Sequence, residues 1–81
     1  MKAKSRFPDS YIQDYRENIG KTIRNRREEK GYSQDELAEI MEIQRSTISK
    51  IENGKFSVSI DYLVKFAWYL DLEIILLPKE K

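Results

Sequence analysis

Residues 33–54 decide the fold of this 81-residue chain, and they read SQDELAEIMEIQRSTISKIENG. Ser33 and Glu36 have the spacing of a capping box, in which each side chain satisfies the backbone amide of the other residue. A helix is therefore predicted to begin there. Its apolar face follows at helical spacings of three and four and consists of Leu37, Ile40 and Met41.

The second half of this stretch predicts another short helix. Residues 42–44 interrupt the helical spacing, and three residues is the length of the corner in a helix-turn-helix. Ile48 and Ile51 then form an inward pair, and Asn53 and Gly54 end the helix because both residue types tolerate a left-handed backbone. The outward side carries hydrogen-bond donors and acceptors and no large apolar side chain.

The segments SQDELAEIM and IQRSTISKIENGK together resemble the lambda-repressor-like (Cro/repressor, XRE-type) helix-turn-helix family. With its flanking helices the resemblance covers residues 19–70, and it implies an all-α domain of four to five helices. Two positions depart from the pattern, since Glu42 stands where many relatives have Gly and Gln44 where they have Ser or Thr. We expect backbone strain at Glu42 and weak helix capping by Gln44.

Composition argues against most enzyme classes. The chain has no Cys and no His, so the commonest general base and metal ligand are absent, and we expect no catalysis, no cofactor and no metal site. The basic start lacks the apolar core of a signal peptide, and the longest apolar run, residues 74–77, is too short to span a bilayer. A cytoplasmic location is therefore predicted. With a net charge of +1, binding to nucleic acid must be argued from the distribution of charge.

The segments before the helix pair predict an arm and a long first helix. Residues 1–9 form a flexible arm, for which fraying is favoured over contact with DNA although the arm is basic. Asp9 or Ser10 caps the helix, and Gly20 leaves open one helix to Lys30 or a bend. Arg24 and Arg26 are assigned to a solvated face. The apolar stripe predicted to face the core consists of Ile12, Tyr15, Ile19 and Ile23.

The segments after the pair predict a fourth helix and a strand. Ser59 caps this helix, whose core stripe starts at Ile60, so that the helix-turn-helix domain spans residues 10–71. Residues 72–77 have the length and β-branched content of a strand with no partner inside an all-α chain, so residues 72–81 are predicted to pair across a homodimer. The predicted dimer interface consists of Val64, Trp68, Leu72, Ile74, Ile75 and Leu76.

The resemblance implies that the second helix of the pair enters the major groove of double-stranded DNA. It also implies a partly buried ion pair between Arg27 and Glu52. Phosphate contacts fall to side chains and to free backbone amides at the start of the first helix of the pair and at residues 53–55. The implied base-reading residues are Arg45, Ser46, Lys50 and Ser49, and the implied phosphate-contacting residues are Gln34, Thr47, Asn53 and Lys55.

Together these patterns predict a sequence-specific transcriptional regulator, a repressor that binds a palindromic operator as a homodimer. A second reading stays open, because the ending WYLDLEIILLP is similar to Hip-type antitoxins, which bind a toxin protein as well as their operator. A toxin gene beside this one would separate the two hypotheses.

Overall fold

The structure is a computed structural model, and it describes residues 7–79. Over this range the chain forms four helices: α1 (Asp9–Glu29), α2 (Gln34–Met41), α3 (Arg45–Glu52) and α4 (Ile60–Leu70). The predicted all-α, helix-turn-helix architecture is confirmed. None of these helices is long and apolar enough to cross a membrane.

One apolar cluster holds the four helices together. α3 packs against both α1 and α2, and α4 packs against α1. Full burial of a large apolar side chain contributes roughly 1.5–3 kcal/mol relative to exposure, so this cluster sets how the helices lie on one another. Its buried members are Ile23, Leu37, Ala38, Met41, Ile48, Ile51, Phe66 and Leu70.

α1 continues straight through Gly20, which settles the open alternative in favour of one long helix. A Cβ atom on Gly20 would lie 2.4 Å from the carbonyl oxygen of Ile51 and 2.7 Å from that of Glu52. Gly20 is therefore the point where the backbones of α1 and α3 approach each other. The predicted cap at Asp9 or Ser10 is wrong, because α1 begins at Asp9 directly after Pro8 and no side chain caps it.

Several residues that were predicted to face the core are exposed. In α1, Ile23 is only 2% exposed, but Ile12 is 44% and Tyr15 51% exposed. The cluster takes only Ile23 from α1 and has Ile19 at its edge, so the first turns of this long helix extend past the core. Ile40 and Ile60 were also predicted to face inward and are likewise exposed.

The end of α4 is tied to α1 by polar contacts that the sequence did not indicate. Arg26 Nε donates a hydrogen bond of 2.8 Å to the carbonyl oxygen of Leu70, so Arg26 is not an ordinary solvated residue. Lys30 Nζ pairs with the carboxylate of Asp71, whose backbone is left-handed (φ 56°) at the end of the helix. The hydrogen bond from Lys30 lowers the pKa of Asp71. These contacts fix where the chain leaves α4.

The predicted C-terminal strand is not seen, since residues 72–79 have no regular secondary structure. A strand needs a neighbour for its backbone hydrogen bonds, and the helical residues of this chain offer none. Leu72 donates its N–H to Ala67 O (2.8 Å) and packs on the core, and Lys79 Nζ lies 5.6 Å from the ring centroid of Tyr11.

The basic residues of the predicted arm, Lys2, Lys4 and Arg6, lie outside the described range, and the domain boundaries stay predictions.

Candidate nucleic-acid interface

The capping box fixes the start of α2 as predicted. Ser33 Oγ accepts from the Glu36 amide at 3.0 Å, and the Ser33 amide donates to Glu36 Oε1 at 2.8 Å. The backbone amides of Gln34 and Asp35 lie between these two and have no acceptor among residues 7–79. Two N–H donors are therefore left at the positive end of the α2 dipole, which is an arrangement suited to an anion such as a phosphate.

The corner between α2 and α3 has the two predicted irregularities. Glu42 is left-handed, with φ 58° and ψ 45°, a conformation that costs a non-glycine residue roughly 1–2 kcal/mol. The chain compensates with backbone hydrogen bonds, because the Glu42 and Ile43 amides donate to Glu39 O at 3.2 Å and Ala38 O at 3.0 Å. Gln44 makes no side-chain cap, which confirms the weak start of α3.

α3 has one buried side and one polar side. Ile48 is fully buried and Ile51 is 2% exposed, and both pack into the core as predicted. The opposite side contains the predicted base-reading residues, of which Ser49 is half-buried and the other three, Arg45, Ser46 and Lys50, are exposed. Thr47 is half-buried at the edge of this side. The structure thus gathers the predicted base-reading set on one accessible face, called here the α3 polar face.

Arg27 and Glu52 form the predicted ion pair behind that face. Arg27 Nε lies 2.7 Å from Glu52 Oε2, Arg27 Nη2 lies 3.1 Å from Glu52 Oε1, and each residue is 7% exposed. The remaining nitrogen, Nη1, donates to Tyr32 O at 2.7 Å. The hydrogen bond with Glu52 raises the pKa of Arg27. A buried two-point contact of this kind fixes the orientation of α3 relative to α1.

A polar chain of contacts leads from this ion pair to the α3 polar face. Gln34 Nε2 donates to Glu52 Oε1 at 3.0 Å, and Gln34 Oε1 accepts from Arg45 Nη1 at 3.0 Å. Arg45 Nε also lies 3.3 Å from Asp35 Oδ1. Gln34 was predicted only as a phosphate contact, and Asp35 had no assigned partner. The contact of Gln34 with Arg45 joins two helices across 11 residues, which the spacing within one helix does not indicate.

The loop after α3 offers fewer donors than the sequence suggested. The amides of residues 53, 54 and 55 donate to the carbonyl oxygens of Ser49 (3.1 Å), Ile51 (3.1 Å) and Lys50 (2.9 Å). The side-chain amide of Asn53 donates to Ser49 O at 2.9 Å. Of the predicted donors in this loop, the exposed Lys55 ammonium group is the one that no described protein group engages.

The predicted dimer interface falls into two groups. Leu72 packs on the core of its own chain. The other members are exposed, with Trp68 at 75% and Leu76 at 94%. Residues 72–76 line a groove of about 380 Å³ together with Leu63 and Phe66 of α4 and Tyr15 and Ile19 of α1. Large apolar groups on α4 and the tail thus face solvent.

Comparison with known proteins agrees with the geometry. The family model HTH_3, described as helix-turn-helix, matches residues 23–77. The HTH-type transcriptional regulator SinR of Bacillus licheniformis is 42% identical over 64 residues, which are 78% of this chain and 58% of SinR. SinR of Bacillus subtilis (strain 168) matches with the same identity and coverage, so the chain spans 58% of the length of these relatives. The crystal structure of the restriction-modification controller protein C.AhdI from Aeromonas hydrophila superposes with a TM-score of 0.69 at 33% identity, covering 74% of this chain and 91% of that chain.

Proposed function

The chain belongs to the helix-turn-helix family of transcriptional regulators, and we propose that it is a DNA-binding repressor that acts as a homodimer on a palindromic operator. One observation carries the proposal: the α3 polar face is exposed, while the opposite side of α3 is held in place by buried contacts. Ile48 and Ile51 fix the inward side of α3, and the buried pair of Arg27 and Glu52 fixes its direction. A helix that docks into a DNA groove needs such a fixed base, because base edges are read by short, directional contacts.

The polar side chains of α3 have the chemistry of base readout. The major groove admits an α-helix, and guanine presents O6 and N7 there as acceptors for Arg or Lys. Arg45 and Lys50 suit guanine, and Ser46 can donate or accept. The free amides of Gln34 and Asp35 at the start of α2 suit a backbone phosphate. Thr47, Asn53 and the Lys55 ammonium group are assigned to the neighbouring phosphates.

Titration on DNA tests this assignment. A preferred duplex is first selected by the wild-type protein from a random pool. Ser46→Ala and Lys50→Ala should each weaken binding to that duplex by about 1–3 kcal/mol and relax the base preference locally. Lys55→Ala serves as the contrast, because loss of a phosphate contact should weaken binding to every sequence and reduce the salt slope by about one unit. Unchanged affinity and preference in both α3 variants would place the recognition face elsewhere.

The exposed apolar surface of α4 and the tail supports a homodimer. Val64 is 52% exposed and Ile75 is 62% exposed, in addition to Trp68 and Leu76. Grouped apolar side chains on a small domain mark an interaction surface, and a second copy would cover them symmetrically. The two α3 helices of such a dimer would need to lie about 34 Å apart to enter successive major grooves on one side of B-DNA.

Repression would follow from occupation of the operator. The antitoxin hypothesis, with a toxin as a further partner, stays a prediction.

Sedimentation equilibrium of the free protein tests the dimer. Ile74→Asp should give a monomer, because it places a charge within the proposed apolar interface, and it should lower operator affinity while leaving weak non-specific binding. Glu73→Asp, one residue earlier on the same exposed segment, is the matched control and should remain dimeric. A wild-type monomer at micromolar concentration, or an Ile74→Asp variant that is still a tight dimer, would assign another role to this surface.

A further inference from the structure

Two residues at the start of α2 hold the guanidinium group of Arg45 at the start of α3. Asp35 Oδ1 lies 3.3 Å from Arg45 Nε, and Gln34 Oε1 accepts from Arg45 Nη1 at 3.0 Å. Both contacts cross the corner between the two helices. The head of an otherwise flexible, exposed side chain is therefore held at two points by the protein itself.

Hydrogen bonds to the buried ion pair determine which way the amide group of Gln34 points. Gln34 uses Nε2 to donate to Glu52 Oε1 at 3.0 Å, which turns its amide oxygen toward Arg45. Glu52 is in turn held by the two-point contact with Arg27, inside the protein. A continuous series of hydrogen bonds thus connects a buried ion pair to Arg45, one of the base-reading candidates. Such prior ordering reduces the entropy that Arg45 would lose on binding a ligand.

The two contacts leave the donors of Arg45 that a guanine needs. A guanidinium group has five N–H donors, one on Nε and two on each terminal nitrogen. Asp35 Oδ1 lies beside Nε as an ion-pair partner and Gln34 accepts one N–H of Nη1, which leaves one N–H of Nη1 and both of Nη2 for a ligand. Guanine presents two neighbouring acceptors, O6 and N7, which an arginine meets with a pair of N–H groups. Arg45 can therefore bind a guanine without giving up either protein contact.

We propose that Asp35 is a positioning residue that orients Arg45 toward a guanine at one position of each operator half-site, an inference that rests on the proposed function. On a guanine, Arg45 keeps Asp35 as its partner. When Arg45 turns to a phosphate, the Asp35 carboxylate loses its partner close to a polyanion. The same carboxylate therefore favours the correct complex and disfavours the incorrect one, which is how a specificity ratio is widened.

The experiment uses the full chain and a duplex selected from a random pool by the wild-type protein. A series of duplexes then replaces each G·C pair of that duplex by A·T, one pair at a time. Wild type, Asp35→Asn and Glu39→Gln are titrated on every duplex. Glu39 is the matched control, since it is an exposed acid on the same helix and its carboxylate makes no contact with Arg45 within residues 7–79. Both variants lose one negative charge, so Glu39→Gln reports the effect of charge loss on α2 without the contact to Arg45.

Asp35→Asn should lower the discrimination at one base pair per half-site by roughly two- to five-fold, the range expected for an exposed ion pair. Glu39→Gln should leave that discrimination unchanged, although both variants should bind scrambled DNA more tightly. In an Arg45→Ala background, Asp35→Asn should no longer change the preference at that pair. If Asp35 had only a structural role, Asp35→Asn would lower the affinity for all duplexes by the same factor and would change the base preference at no single position.

Three results would overturn the proposal while the proposed function stands. The first is equal behaviour of Asp35→Asn and Glu39→Gln at every base pair. The second is a loss of discrimination spread over all positions, and the third is a full effect of Asp35→Asn without Arg45. A wild-type protein that selects no sequence from the pool is a different result, because it would remove the proposed function itself.

Discussion

The α2–α3 helix pair and the α4–tail region differ in how many of their large apolar side chains are buried within one chain. In the pair, Leu37 and Ile48 are fully buried, and the ion pair behind α3 has complete hydrogen bonding in a single chain. In α4 and the tail, Phe66 is buried, but Trp68 and Leu76 are 75% and 94% exposed. The α2–α3 helix pair therefore needs no second chain to cover Leu37 and Ile48, and it presents polar groups to solvent. The α4–tail region turns large apolar groups outward and fits the role of an interface.

The largest expected effect concerns the ion pair that makes the helix pair complete. Arg27→Ala or Glu52→Ala removes one partner and leaves the other charge buried, so each should lower the free energy of unfolding by about 3–5 kcal/mol. Urea denaturation measures this, and a double-mutant cycle gives the coupling between the two residues. Coupling near zero would mean that the pair does not hold α3 on α1.

The same helix provides an exposed pair as a control. Arg24 Nε lies 3.4 Å from Glu28 Oε2, and the two side chains are 57% and 54% exposed. Solvent screens such a pair, so Arg24→Ala should change the free energy of unfolding by about 0.5 kcal/mol or less. Equal costs for Arg24→Ala and Arg27→Ala would contradict the contrast between buried and exposed contacts.

Local sequence signals predicted the helix pair well because they act over a few residues. The capping box of Ser33 and Glu36, the strained corner at Glu42 and the inward pair of α3 all depend on near neighbours. Two features of the fold could not be predicted from such local signals. Helical periodicity assigned Ile12 and Ile60 to the core, but it cannot tell how far a partner helix extends. The contact of Arg26 with Leu70 spans 44 residues, and nothing local encodes it.

Gly20→Ala gives the next largest effect and tests how closely α1 lies on α3. In an exposed helix interior, this change should stabilise by up to about 1 kcal/mol, because Ala has the higher helix propensity. Here the new methyl group would meet backbone oxygens at 2.4 and 2.7 Å, which are not free to move aside. We therefore expect destabilisation by roughly 1–3 kcal/mol, as for other overpacked sites. A thermal melt that shows stabilisation would mean that the two helices are farther apart.

The smallest effect concerns the contact that ties the end of α4 to α1. Lys30 lowers the pKa of the Asp71 carboxyl group, so the ionised form is favoured by folding. The resulting stability is present above the ordinary carboxyl pKa near pH 4 and is lost as the pH falls through the lower folded value. Lys30→Met should remove this part of the pH dependence. Denaturation from pH 2 to pH 7 measures it, and identical profiles for wild type and variant would show that the contact does not stabilise the fold.

The most direct test of the whole account is the number of chains bound to one selected duplex. Sedimentation equilibrium of the protein with that duplex should give two chains per duplex, and footprinting should show two protected half-sites whose centres lie about 10 base pairs apart. Removal of residues 73–81, which keeps Leu72 in the core, should leave only weak binding. One chain per duplex at full affinity, or a truncated chain that still binds as a tight pair, would contradict the proposed division between a helix pair that reads DNA and an α4–tail region that forms the dimer.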